Sequence, residues 1–158
     1  MPDDEPRYDN PRSTARIAGH PLHPMLVPFP IVCFVGTLVT DIAYARTANM
    51  QWANFSSWLL TAGLVMTVFA VIAGLIDFLG DPRIRRLRPA WIHVVGNVLA
   101  VVLAIINAFV HTRDGWTAVV PTGLTLSALV VLILLVTGWN GWDLVYRHQV
   151  GIRPGDAP

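Results

Sequence analysis

The sequence predicts an all-α fold: a polytopic membrane protein built as an up-down bundle of four transmembrane helices. Three observations carry that expectation. Of the 158 residues, 54% are hydrophobic and only 13% charged, whereas a soluble domain averages about 25% charged residues. Mean hydropathy is +0.54, and the charges fall in clusters between long uncharged runs. Four of those runs reach the ~20 residues that a membrane-spanning helix needs.

The expected spans cover about 25–44, 55–79, 90–110 and 121–146. The first reads "MLVPFPIVCFVGTLVTDIAY" and the second "FSSWLLTAGLVMTVFAVIAGLIDFL". The third opens behind Pro89, a residue suited to a helix start. The fourth ends with Trp139 and Trp142, as an interfacial aromatic belt would. The links "ARTANMQWAN", "GDPRIRRLRP" and "HTRDGWTAVV" are short, so neighbouring spans should run antiparallel. Residues 19–152 then form one transmembrane domain. Residues 1–18 are polar and Pro-rich, lack a signal-peptide core, and read as a disordered cytoplasmic tail. Residues 153–158 make a second short tail.

All 11 basic residues are arginine. Four spans place the N-tail, the middle link and the C-tail on one side. Nine arginines lie there (Arg7, Arg12, Arg16, Arg83, Arg85, Arg86, Arg88, Arg147, Arg153) against Arg46 and Arg113 opposite. Positive residues stay inside, so both termini are expected in the cytoplasm, with the protein in a bacterial inner membrane. Arginines beside apolar spans are topology signals, and with a net charge of +1 no nucleic-acid partner is implied. The single cysteine, Cys33, excludes a disulfide framework.

At ~100° per residue, His93, Asn97, Ala100, Ala104, Asn107 and His111 share one face of the third span. The second offers Gly63, Thr67, Ala70, Gly74 and Asp77, the first Cys33, Thr37, Thr40 and Tyr44, and the fourth Gly123, Ser127, Thr137 and Gly141. Small and hydroxylated residues on such stripes are packing seams. The ionisable ones stand apart, because ionisable groups at membrane depth usually serve function.

The parity of the spans puts His20, His23, Asp77, His93, Asp143 and His148 at the Arg-rich rim, leaving Asp41 and His111 at the other. In "GHPLHPMLVPFP" the prolines restrain the backbone around His23. Neutral imidazoles ligate transition metals, completed by a carboxylate, or hold a haem iron in pairs. They also relay protons. Asp77 is equally suited to capping its helix, and Asp77 or Asp81 to pairing with Arg85 or Arg86. No G-x-S-x-G, GxxxxGK[ST], H-E-x-x-H or G-x-G-x-x-G motif occurs, so no enzymatic reaction is assigned.

"GHPLHPMLVPFPIVCF", "AGLIDFL", "WIHVVGN" and "GWDLVYRHQVGI" together resemble the bacterial membrane family known as domain of unknown function 2231, over about Gly19–Ile152. The resemblance implies four spans, no assigned reaction, and a redox neighbourhood, since related domains occur attached to Rieske or c-type cytochrome modules. It also implies His20, His23, Asp41, Asp77, His93, Asn97 and His148 as the recurrent polar positions. Asp143 departs from the glycine-rich turn, often with Glu, expected there.

Three readings follow. The first is a redox-associated membrane protein holding haem b or a transition metal, with His23 and His93 as primary ligands. His20 and His148 are further candidate ligands, Asp77 is a candidate metal ligand, and Asn97 and Asp143 support from behind. The second is a non-enzymatic membrane subunit or scaffold whose rim binds a partner protein through the His and Arg groups; a homo-oligomer in the bilayer is a separate expectation. The third is a small proton-coupled transporter using Asp77 and His93.

Overall fold

A computed structural model describes residues 10–152. Four helices long and apolar enough to cross a membrane dominate it. The chain opens with a two-residue strand pair, β1 (Arg16–Ile17) and β2 (His20–Pro21), followed by α1 (Leu22–Leu26) and α2 (Pro28–Thr47). Then come α3 (Met50–Gly80), the short α4 (Pro82–Arg85), α5 (Arg88–Val110), a 3₁₀ turn at Gly115–Ala118, and α6 (Thr122–Tyr146). The all-α membrane bundle expected from composition is what forms.

The boundaries shift for local reasons. The first span begins at Leu22, before the expected 25. Val27 N–H donates to His23 O and Ile31 N–H to Val27 O, at 3.1 and 3.4 Å, so α1 and α2 nearly join. Pro28 has no N–H to donate and its ring crowds the preceding turn, so α1 ends at Leu26 and α2 starts at Pro28. The second span starts at Met50 because Asn49 caps it, accepting from Gln51 N–H at 3.0 Å. Its 31 residues make ~46 Å of helix, well beyond the ~30 Å hydrocarbon core, so both ends of α3 reach the interfaces.

In the bundle α2 packs against α3 and α6, and α5 packs against α6 and more lightly against α3. The lipid-facing surface is apolar, with Phe69, Phe109, Leu132 and Leu135 exposed, while Thr37, Ser56, Asn107, Ser127 and Thr137 are buried. This inversion is expected where lipid supplies no hydrophobic drive between helices and packing comes from small residues and interhelical hydrogen bonds. The stripe of α5 faces inward as anticipated: Ala100, Ala104, Asn107 and His111 are buried, and His93 and Asn97 half-buried. Phe34 of α2 packs over Gly63 of α3, where an added Cβ would sit 2.8 Å from the ring.

The described part of the expected disordered tail is folded onto the bundle. Both Asp77 carboxylate oxygens accept from Ser13 Oγ, at 3.0 and 3.1 Å, and Oδ1 also accepts from Thr14 and Ala15 N–H at 2.6 and 2.7 Å. Asp81 accepts from Arg12 N–H at 2.9 Å, and Gly151 N–H donates to Pro11 O at 2.9 Å. The N-terminal segment, α4 and the C-terminal turn therefore lie together at one end of the bundle. The composition that suggested disorder supplied the hydroxyls and free amides that acids on α3 bind. The expectations for residues 1–9 and 153–158 lie outside the described residues.

Candidate functional site

A cavity of about 400 Å³ lies within the Arg-rich half of the bundle. Its walls are apolar, apart from His23, His93, Asn97, Thr67, Thr137 and the contribution of Ser13 and Asp77 at its end. Val71 and Leu75 of α3 and Val98 and Val102 of α5 line it and are also exposed. The cavity therefore opens laterally between α3 and α5, where the two helices pack least.

Two histidines meet there. His23 comes from the first turn of the first span and His93 from the second turn of α5, their ring centres 5.9 Å apart and their planes at 82°. Each ring is held in the same way. His23 Nδ1 lies 2.8 Å from Ala70 O and His93 Nδ1 2.8 Å from Thr137 O. A carbonyl oxygen only accepts, so in both rings Nδ1 carries the proton. In the neutral rings Nε2 is thus a free lone pair, and neither Nε2 has a hydrogen-bond partner among the described residues. Each ring also lies over a glycine. A Cβ at Gly74 would come within 2.8 Å of His23, and one at Gly141 within 3.2 Å of His93. Asn97 braces the second ring's helix, donating to His93 O at 2.7 Å and accepting from Thr137 Oγ1 at 3.4 Å.

The other expected site residues are elsewhere. His20 is exposed on β2 and does not line the cavity. His148 lies 3.6 Å from Asp143, whose other oxygen takes Arg147 Nε at 3.1 Å, so these three form a separate cluster at the end of α6. Asp143 accordingly does not stand behind either cavity histidine. Asp77 reaches the cavity, but its carboxylate is occupied by Ser13, Thr14 and Ala15, as described above. Among the described residues no group of three or more His, Cys, Asp or Glu is placed to hold a metal ion. Asp81 pairs with Arg83 at 2.7 Å, not with Arg85 or Arg86. The Arg83 guanidinium holds the Asp81 carboxyl well below the usual carboxylate range. Arg85 instead donates to the carbonyls of Phe78 and Leu79 at the end of α3, at 3.3 and 2.7 Å.

The comparison with protein families decides what kind of chain this is. Residues 19–154 match the model described as "Predicted membrane protein (DUF2231)". The chain belongs to this family. The match covers all four spans of the DUF2231 chain and both cavity histidines, and leaves out the N-terminal segment that binds Asp77. The same comparison returned no match among curated proteins or solved structures.

Sequence reasoning overlooked two things. Gly74 and Gly141 were assigned to packing seams, although each makes room for one imidazole; their place on polar stripes shared with Asp77 and Thr137 was the available signal. The second is a buried network at the other end of the bundle. Asp41, with 0% exposure, has His111 Nε2 at 3.0 Å from Oδ1 and accepts from Ser127 Oγ at 2.6 Å on Oδ2. Asn107 donates to Ser127 Oγ at 2.8 Å, and His111 Nδ1 lies 3.0 Å from Asn107 O. The serine is bonded to the acid and not to the histidine, so this is not a nucleophilic triad.

Proposed function

We propose that this membrane protein holds a redox cofactor, haem b or a transition-metal ion, between His23 and His93. The observation that carries the reading is the pairing of two imidazoles whose Nδ1–H groups are both tied to main-chain carbonyls. That arrangement fixes the tautomer and orientation that metal-ligating histidines need. The two ring centres are 5.9 Å apart, near enough for both residues to hold one group.

The donor set favours haem over zinc. A structural zinc site takes four protein ligands and a catalytic one three, whereas a haem would need no more than two from the protein, and two is what this cavity offers. Such a group would supply one-electron transfer. His23 and His93 would bind it, Gly74 and Gly141 leave the rings their positions, and the apolar walls exclude water. The excess of arginine at this end supports a cytoplasmic placement in a bacterial inner membrane and a redox partner protein meeting the bundle there.

The test is the absorption spectrum and metal content of protein purified from its native membranes. A Soret band, or one bound transition-metal ion per chain, is expected. Protein that is colourless and metal-free after purification, and that stays so when offered haemin, contradicts the reading.

A further inference from the structure

The buried network at the opposite end has its own chemistry. His111 is the first residue after α5 and packs over Gly123 of α6, where a Cβ would approach the ring to 2.9 Å. Its two nitrogens face Asn107 O and Asp41 Oδ1. The carbonyl requires a proton on Nδ1. Ser127 accepts from Asn107, and so its own proton goes to Asp41 Oδ2. That leaves the 3.0 Å contact between His111 Nε2 and Asp41 Oδ1 needing one proton of its own. Without it, two lone pairs face each other in a site where Asp41 is wholly buried.

A second cavity of about 160 Å³ is lined by His111 together with Ser57, Thr61 and Thr112. Leu60 and Ala108 complete its lining, and Thr61 and Thr112 are exposed, so the cavity reaches from the imidazole to the surface of the bundle. Trp58 and Trp116, both exposed, mark this level as the membrane interface, where aromatic belts lie.

We propose that Asp41 and His111 form a proton-binding site, reached from the aqueous phase at the Arg-poor face through the cavity lined by Ser57, Thr61 and Thr112. The bound species is a proton, held on His111 as an imidazolium against the Asp41 carboxylate. The other groups facing the pair are uncharged: Asn107 from α5, Ser127 from α6, and Ser57 and Thr61 from α3. Arg46, Arg113 and Asp114, the remaining charges near this end, are exposed and make no bond to the pair. Burial disfavours the charged ring, but the Asp41 carboxylate and the Asn107 carbonyl outweigh it, so the pKa of His111 is raised.

The site does not depend on what the other cavity holds, and its test is separate. The full chain, with ¹⁵N-labelled histidine, is placed in phosphatidylcholine–phosphatidylglycerol nanodiscs and observed by NMR between pH 5 and 10. Both ring nitrogens of His111 should be protonated at pH 7, with deprotonation on the alkaline side of the ordinary value, and Asp41→Asn should leave one ring proton at pH 7. Ser127→Ala, which removes its own bond to Asp41 but leaves the His111–Asp41 contact, should retain both protons, and the titration of the unsubstituted chain carries the test if Asp41→Asn does not fold. Thr61→Leu should slow exchange of the Nε2 proton with water at least tenfold. A His111 ring with a single proton at pH 7 in the unsubstituted chain overturns the proposal. So does an exchange rate that Thr61→Leu leaves unchanged.

Discussion

The two ends of the bundle use the same residue type in opposite ways. At the Arg-rich end, His23 and His93 spend one nitrogen each on a carbonyl and keep the other for the cavity. At the opposite end, both nitrogens of His111 are taken, and the acid beside it is fully buried and bonded on both oxygens. Unspent hydrogen-bonding capacity beside a cavity marks a place for a ligand. A bonded network marks a group whose protonation its neighbours set. Histidine in a membrane bundle is informative only once the partner of each nitrogen is known.

Substitutions separate the two ends, and the largest effect is expected at the closed one. Asp41→Ala leaves His111 and Ser127 without their shared acceptor, and breaking a buried ion pair in this way costs about 3–5 kcal/mol. Thermal unfolding in detergent should register that loss, whereas His23→Ala, which gives up one hydrogen bond to Ala70 O, should cost clearly less. Equal destabilisation by both would erase the distinction between a closed and an open site.

Next in size is the effect of the glycine shelves. Gly74→Ala sets a methyl group 2.8 Å from the His23 ring and should turn the imidazole out of line. Loss of support behind a ligating histidine typically weakens metal binding about 10–100-fold, to be read as the dissociation constant of the bound cofactor. Gly36→Ala on α2, whose added methyl meets only the Leu59 side chain, at 3.2 Å, and which does not line the cavity, should leave it unchanged.

The pH dependence of stability belongs to the closed end. A raised histidine pKa contributes stability that is complete below the ordinary value of 6.5 and is lost as pH rises through the folded-state value. Unfolding temperature should therefore fall on the alkaline side of 6.5, and Asp41→Asn should abolish that fall. A curve of the same shape in the variant would assign the alkaline loss to another group.

The smallest effect is expected at Asp77. Replacing it with Asn removes the charge that draws Ser13, Thr14 and Ala15 onto α3. Hydrogen bonds to charged groups contribute about 1.5–3 kcal/mol each before losses are shared, so residues 10–18 should become cleavable by limited proteolysis. Cofactor content should stay as it was. Loss of the cofactor in Asp77→Asn would return that carboxylate to the ligand set.

Much of this was legible in the residues. Composition and the length of the apolar runs determine the four spans, because a bilayer admits little else. The 3.6-residue period located the inward face of α5 from His93 to His111. The parity of the spans brought His23 and His93 to one end and Asp41 and His111 to the other. Parity fixes depth but not azimuth, and here it failed: His20 and His148 share the rim with His23 yet point elsewhere. The docking of residues 10–18 was hidden because main-chain amides carry no signature in sequence, and three of the donors that this segment gives to Asp77 and Asp81 are main-chain N–H groups. Asp41 was placed at its rim but not joined to Ser127, 86 positions away, since only the packing of α2 against α6 brings them together.

The most direct measurement compares cofactor content in four single variants purified side by side: His23→Ala, His93→Ala, His20→Ala and His148→Ala. If the ligand is held by the two rings 5.9 Å apart in the cavity, the first two should lose the visible absorption or the bound metal while the last two keep it. Retention of the cofactor in both His23→Ala and His93→Ala, or its loss in His20→Ala or His148→Ala, would contradict the two-histidine site.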